Sequence, residues 1–123
     1  MRCLITGADG FLGANLAALL LTEGHEVTGA CLNRKGQTAL DALGLNLRVE
    51  YGDVTDAHYV ERLVSAYEPE WIFHLAAVSI VRIAQASPAR ALRTNILGTV
   101  NVLEACRNLA HVRALVVASS GRT

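Results

Sequence analysis

Charge of one sign is missing from this sequence: 11 basic and 11 acidic side chains cancel to a formal net charge of zero. A balanced chain projects no global basic field, so nucleic acid is not an expected partner. No apolar run approaches the roughly 20 residues needed to span a bilayer. The apolar run "CLI" begins at the third residue, leaving no room for a signal peptide, and no membrane partner is expected. Cysteine is sparse. Cys3, Cys31 and Cys106 are an odd number, widely spaced, with no C-x-x-C pair, and they read as buried reduced thiols in a cytoplasmic protein. The four histidines, His25, His58, His74 and His111, lack metal-ligand spacing and read as structural, with no metal expected. Aromatic residues make up only 5% of the chain, and there is no internal repeat, low-complexity segment or linker.

What remains is apolar and rich in glycine. Hydrophobic residues form 52% of the 123, which excludes disorder and is enough for one domain with a single core. "RCLIT" reads as a short buried strand and "FLGANLAALLLTEG" as a helix apolar nearly all round, with Gly24 placed at its C-terminal cap. "EVTGAC" is a second strand, "QTALDALG" a weak helix and "LRVEYG" a third strand. "TDAHYVERLVSAY" is a helix capped by Thr55 or Asp56, and "WIFHLAA" a fourth strand. "SPARALRTNILGTVNVLEACRNL" is a long helix with Ser87 as N-cap and Pro88 at its first position, and "RALVVAS" a fifth strand. Regular alternation of strand and helix predicts an α/β fold: a Rossmann-like, doubly wound parallel sheet of five strands in order 3-2-1-4-5. Ligand is then expected at the carboxyl ends of strands one and four, where the winding reverses.

Chemistry concentrates in the loops at those ends. In "TGADGFLG", Gly7, Gly10 and Gly13 have a G-x-x-G-x-x-G spacing. Gly7 suits a tight turn, Gly10 lets backbone approach a pyrophosphate, and Gly13 lets helix and sheet pack closely. The following helix N-terminus offers unpaired N–H groups and partial positive charge. The stretch "ACLNRKGQ" after strand two holds no acid for the ribose hydroxyls of NAD. Asn33, Arg34 and Lys35 stand there instead. Arg34 and Lys35 either neutralise a 2′-phosphate, which favours NADP over NAD, or form a solvated basic loop. Asp53 in "YGDVTD" can accept the adenine amino hydrogen, with Val54 beside the ring; Thr55 and Asp56 suffice as helix caps, so Asp53 is expected to be left free. On the long helix, Asn95 falls within a broad apolar arc of Ala91, Leu92, Ile96, Gly98, Val100, Val102, Leu103, Ala105 and Cys106. A buried amide there either bonds to neighbouring backbone or orders a site. Ser119 and Ser120, at the tip of strand five, either hydrogen-bond a substrate oxygen or start a turn.

"TGADGFLG", "GDVTD", "IFHLAA", "TNILGTVNVLEACR" and "ALVVASS" occur in the order seen in extended short-chain dehydrogenases/reductases, and over the whole chain the sequence resembles this family of nucleotide-sugar epimerases, dehydratases and reductases. "GADGF" and "PEWIFHLAA" look most like the branch of GDP-mannose 4,6-dehydratase and GDP-4-keto-6-deoxymannose reductase. The resemblance implies that Gly7, Gly10, Phe11, Leu12 and Gly13 form the pyrophosphate loop. It implies that Asp53 and Val54 contact adenine, and that Leu75, Ala76, Ala77 and Val78 line the cofactor. Asn95 then orders the active site, and Ser120 is the catalytic hydroxyl with Ser119 beside it. Ser120 is followed by Gly121, Arg122 and Thr123 rather than by an acid, which favours an epimerase or reductase over a dehydratase. The family's Tyr-x-x-x-Lys and sugar-binding lobe are expected beyond residue 123. Residues 1–123 then form an incomplete dinucleotide-binding domain, inactive alone, whose parent acts on a nucleotide sugar. The competing reading is a non-catalytic dinucleotide-binding or sensor module. The wide apolar arc of the long helix, residues 88–109, further predicts a homo-oligomer.

Overall fold

The computed structural model describes residues 1–32, 38–76, 88–107 and 109–118. Its strands are β1 (Arg2–Thr6), β2 (Glu26–Cys31), β3 (Arg48–Tyr51), β4 (Trp71–His74) and β5 (Ala114–Val117). The helices among the described residues are α1 (Phe11–Thr22), α2 (Ala39–Ala42), α3 (Ala57–Tyr67) and α4 (Pro88–Cys106). The strands form one parallel sheet in the order β3-β2-β1-β4-β5, as the alternation of elements predicts. In register, Cys3 of β1 lies beside Val27 of β2 and Trp71 of β4, and Thr6 lies beside Ala30 and His74.

The two-residue period of a strand divides β1 between two cores. Cys3 and Ile5 face one side of the sheet, where they pack with Ala14, Ala17 and Leu20 of α1 and Leu40 of α2. Leu4 faces the other, with Ile72 of β4, Val60, Leu63 and Val64 of α3, and Val102 of α4. Helices therefore cover both faces, and every described strand end at the carboxyl edge opens toward the same side.

Local chemistry sets the helix limits. Beyond Thr22 the chain turns through Gly24 at φ +89°, with Gly24 N–H donating to Leu21 O at 3.1 Å and His25 N–H to Leu20 O at 3.0 Å. This pair of bonds closes the last turn of α1 and needs the left-handed conformation that glycine takes without strain. The Asp56 carboxylate accepts from the N–H groups of His58 and Tyr59 at 3.0 and 3.5 Å, so Asp56 and not Thr55 caps α3. Ser87, the expected cap of α4, lies outside the described residues.

The apolar arc of α4 is covered only in part, as its width predicts. Ala91, Gly98 and Val102 form a narrow buried seam, whereas Leu92, Ile96, Val100 and Leu103 are 45–60% exposed. A flat sheet and one neighbouring helix, α3, cover only a strip of a cylinder, and the small residues of the seam mark where the approach is closest.

Candidate functional site

The turn from β1 into α1 is fixed by close packing. Gly7 has φ +70°, and a Cβ there would sit 2.9 Å from Leu75 O and Ala76 N. Its N–H donates to Ala30 O at 2.8 Å, which ties the loop to β2. A Cβ on Gly13 would lie 2.3 Å from Gly7 O, so the first turn of α1 can pack on this loop only without a side chain at that position. Gly10 differs: its Cβ would meet nothing nearer than Gly7 O at 3.5 Å. Gly10 is also the N-cap of α1, with no side-chain cap, and the first turn carries no acid. No side chain caps the N–H groups of that turn, and a helix start of this kind suits an anion.

Beside the loop is a cavity of about 270 Å³. Gly7, Asp9 and Gly10 line it from the glycine loop, Cys31 and Leu32 from the end of β2, Asp53 and Val54 from beyond β3, and Leu75 and Ala76 from beyond β4. It thus spans the carboxyl ends of β1 and β4 and reaches across to β3, at the point where the strand order reverses.

The walls are braced from behind. Thr6 Oγ1, buried at the end of β1, accepts from the N–H groups of Leu75 and Ala76 at 3.0 and 3.1 Å. With both lone pairs used, the hydroxyl proton points to His74 Nδ1, 2.7 Å away. That bond requires a neutral imidazole with its proton on Nε2, and burial lowers the His74 pKa in the same sense. On the other wall, Asn101 Nδ2 of α4 donates to Val54 O at 2.8 Å. Gly98 brings α4 so near that a Cβ would meet Val54 Cγ2 at 2.8 Å. Cys31, at the end of β2, is held as a thiol: burial first, and the nearby Asp9 charge second, push its pKa up to about 11.

The structure gathers Gly7, Gly10, Asp53, Val54, Leu75 and Ala76 around one space. Gly13 serves behind the loop as a packing position. Phe11 and Leu12 lie at the start of α1 with side chains 82% and 61% exposed and do not line the cavity, so only their backbone is placed to serve a ligand there. Asp53 is not left free: its Oδ1 accepts from the Thr55 N–H at 2.9 Å, which shapes the turn into α3. Asn95 is half-buried rather than enclosed in an apolar arc, and from α4 it is Arg90 and Thr94 that reach the cavity. Asn33, Arg34, Lys35, Ala77, Val78, Ser119 and Ser120 lie outside the described residues. The sequence reading missed Thr6, Asp9, Arg90 and Asn101. Thr6 had a signal, a polar residue ending an apolar strand just before the first glycine.

A glycine loop leading into an uncapped helix, at the switch point of a doubly wound sheet, defines a nucleotide-binding protein of the α/β class. The chain belongs to the family described as GDP-mannose 4,6 dehydratase, whose model matches residues 4–122. It is 38% identical over 112 residues to the CDP-paratose 2-epimerase of Salmonella typhi, covering 87% of this chain and 33% of that protein. Its fold is similar to that of a Thermotoga maritima UDP-glucose 4-epimerase solved with UDP-glucose, at a TM-score of 0.85 and 31% identity, over 98% of this chain and 38% of that one. It is also similar to the Bordetella bronchiseptica enzyme WbmG in complex with NAD, at a TM-score of 0.77 and 34% identity, over 95% and 36% of the two chains. The chain spans only a third or slightly more of the length of these relatives.

Proposed function

We propose that residues 1–123 are the dinucleotide-binding part of a nucleotide-sugar epimerase, reductase or dehydratase. The observation that carries this reading is the open, uncapped start of α1 at Gly10, facing a cavity bounded by Asp53 and Val54. The residues fit a nicotinamide dinucleotide in three places. The N–H groups of the first turn of α1 take the pyrophosphate. Asp53 and Val54 take the adenine. Leu75 and Ala76 run along the nicotinamide half. The named relatives support the class, since one is a complex with NAD and two are epimerases of nucleotide sugars by name.

A nicotinamide held there would supply reversible hydride chemistry at a sugar carbon. This chain's residues bind and orient. Ser120, with Ser119 beside it, holds the sugar oxygen, and Asn95 orders the helix face behind it. Proton transfer falls to a Tyr-x-x-x-Lys pair elsewhere in a longer parent, since Tyr51 ends β3 and Tyr59 and Tyr67 of α3 both give their hydroxyls to Glu50. The preference for a 2′-phosphate expected from Arg34 and Lys35 rests on residues outside the described ones. The described wall at that end of the cavity carries a carboxylate instead. The exposed stripe of Leu92, Ile96, Val100 and Leu103 on α4 is where a second copy docks.

Isothermal titration of the purified protein with NAD⁺ and NADP⁺ tests the binding reading. At least one is expected to bind at one site per chain. Gly10→Asp, which sets a carboxylate at the helix start without touching the core, is expected to weaken binding at least tenfold. No binding of either dinucleotide by folded protein overturns it.

A further inference from the structure

Among the described residues, three charged side chains line the cavity: Asp9, Asp53 and Arg90. The two carboxylates have different settings. Asp53 stands past the end of β3, with one oxygen engaged by Thr55. Asp9 stands in the glycine loop between Gly7 and Gly10, and shares its wall with Cys31, the last residue of β2. A smaller cavity of about 130 Å³ on the α2 side is also lined by Asp9 and Cys31, with Thr38 and Tyr51. The pair therefore forms the partition at the carboxyl end of β2.

That position has a defined duty in a dinucleotide fold. The adenosine ribose lies against the end of the second strand, where a carboxylate accepts from its hydroxyls and disfavours a 2′-phosphate. Here β2 ends in a thiol, 3% exposed, followed by Leu32, and neither side chain does that work. We propose that Asp9 supplies the carboxylate from the glycine loop, accepting from the adenosine ribose and repelling a 2′-phosphate, so that the protein takes NAD in preference to NADP. The assignment rests on the dinucleotide-binding reading above. It runs against the preference expected from Arg34 and Lys35. Cys31 beside Asp9 is a neutral thiol, so β2 itself ends without a charged side chain. A carboxylate set against a 2′-phosphate penalises it, and this separates ligands that differ by one phosphate.

The test is titration calorimetry of the purified protein with NAD⁺, NADP⁺ and the fragments 5′-ADP and 2′,5′-ADP, which isolate the adenosine end. The wild type is expected to bind NAD⁺ and 5′-ADP about tenfold or more tighter than their 2′-phosphorylated counterparts. Asp9→Asn keeps the shape and removes the charge, so NADP⁺ should tighten and the preference should narrow about tenfold. Asp9→Ala should in addition weaken NAD⁺. The double change of Arg34 and Lys35 to alanine should leave the preference in place. Circular dichroism and melting of each variant confirm that the fold is retained. Preference for NADP⁺ in the wild type, or a ratio that Asp9→Asn does not move, overturns the role of Asp9 while leaving dinucleotide binding intact. Failure of all four ligands to bind overturns both readings.

Discussion

Thr6 and His74 show how much of this site depends on single polar atoms inside an apolar sheet. Thr6 is 1% exposed and His74 3%, and their bond is what allows one hydroxyl to hold two backbone N–H groups of the cavity wall. An unsatisfied buried polar group costs about 1–3 kcal/mol, so the arrangement tolerates no protonation of Nδ1. Burial lowers the His74 pKa below its ordinary value of 6.5. The folded state then binds fewer protons than the unfolded state as the pH falls below about 6.5. The stabilising contribution is therefore complete above the unfolded value. It declines as the pH drops below it, and is gone once the pH has passed through the lowered folded value. Urea unfolding at pH 7.5 and 5.5 should show this loss in the wild type. His74→Asn can place an amide oxygen where Nδ1 was and does not titrate. It should cost ~1 kcal/mol at pH 7.5 and show a smaller loss on acidification. Equal losses in the two proteins would mean that His74 does not couple the cavity wall to pH.

At the scale of the element, the first turn of α1 and the seam of α4 separate what the sequence discloses from what it withholds. The alternation of strands and helices, the cap at Asp56 and the turn at Gly24 follow from local chemistry, so they are legible in the chain. The glycine loop is legible for the same reason, because its spacing encodes backbone geometry. Gly13 illustrates this: with Gly7 O only 2.3 Å from an ideal Cβ, the helix must move if a methyl is added. Gly13→Ala should destabilise the protein by ~1–3 kcal/mol, as overpacking does, and weaken dinucleotide binding in the same titration, since the start of α1 shifts. An alanine variant as stable as the wild type with unchanged affinity would show that Gly7 and α1 are not locked together. The roles of Asp9, Arg90, Thr94 and Asn101 are not legible in this way. Each depends on which side of the cavity a loop or helix passes, and that is set by packing between distant elements: Asn101 reaches Val54 only because Gly98 lets α4 approach. Periodicity finds the apolar arc of α4 and its excess width, but that the covered strip runs through Ala91, Gly98 and Val102 is set by packing between elements.

For the whole molecule, the uncovered arc is a prominent apolar surface among the described residues. Leu92, Ile96, Val100 and Leu103 recur at intervals of three or four residues along one side of α4 and are 60, 58, 45 and 50% exposed. They form a continuous stripe about three turns long, on the side of α4 away from the buried seam of Ala91, Gly98 and Val102. Scattered apolar side chains are ordinary on a protein surface, but a contiguous stripe of this kind marks an interface. Burying a Leu or Ile side chain is worth about 1.5–3 kcal/mol, so even partial burial of four on each of two copies outweighs much of the entropy lost on association. Two helices docked by such stripes bring identical surfaces together about a twofold axis, which closes the assembly as a dimer. Light scattering across a dilution series should therefore find a dimer at micromolar concentration. Ile96→Glu, at the centre of the stripe, should shift it to monomer while leaving dinucleotide affinity unchanged, because the stripe does not line the cavity. A wild-type chain that stays monomeric at high micromolar concentration would rule out this interface, and a dimer that survives Ile96→Glu would place the contact on another surface.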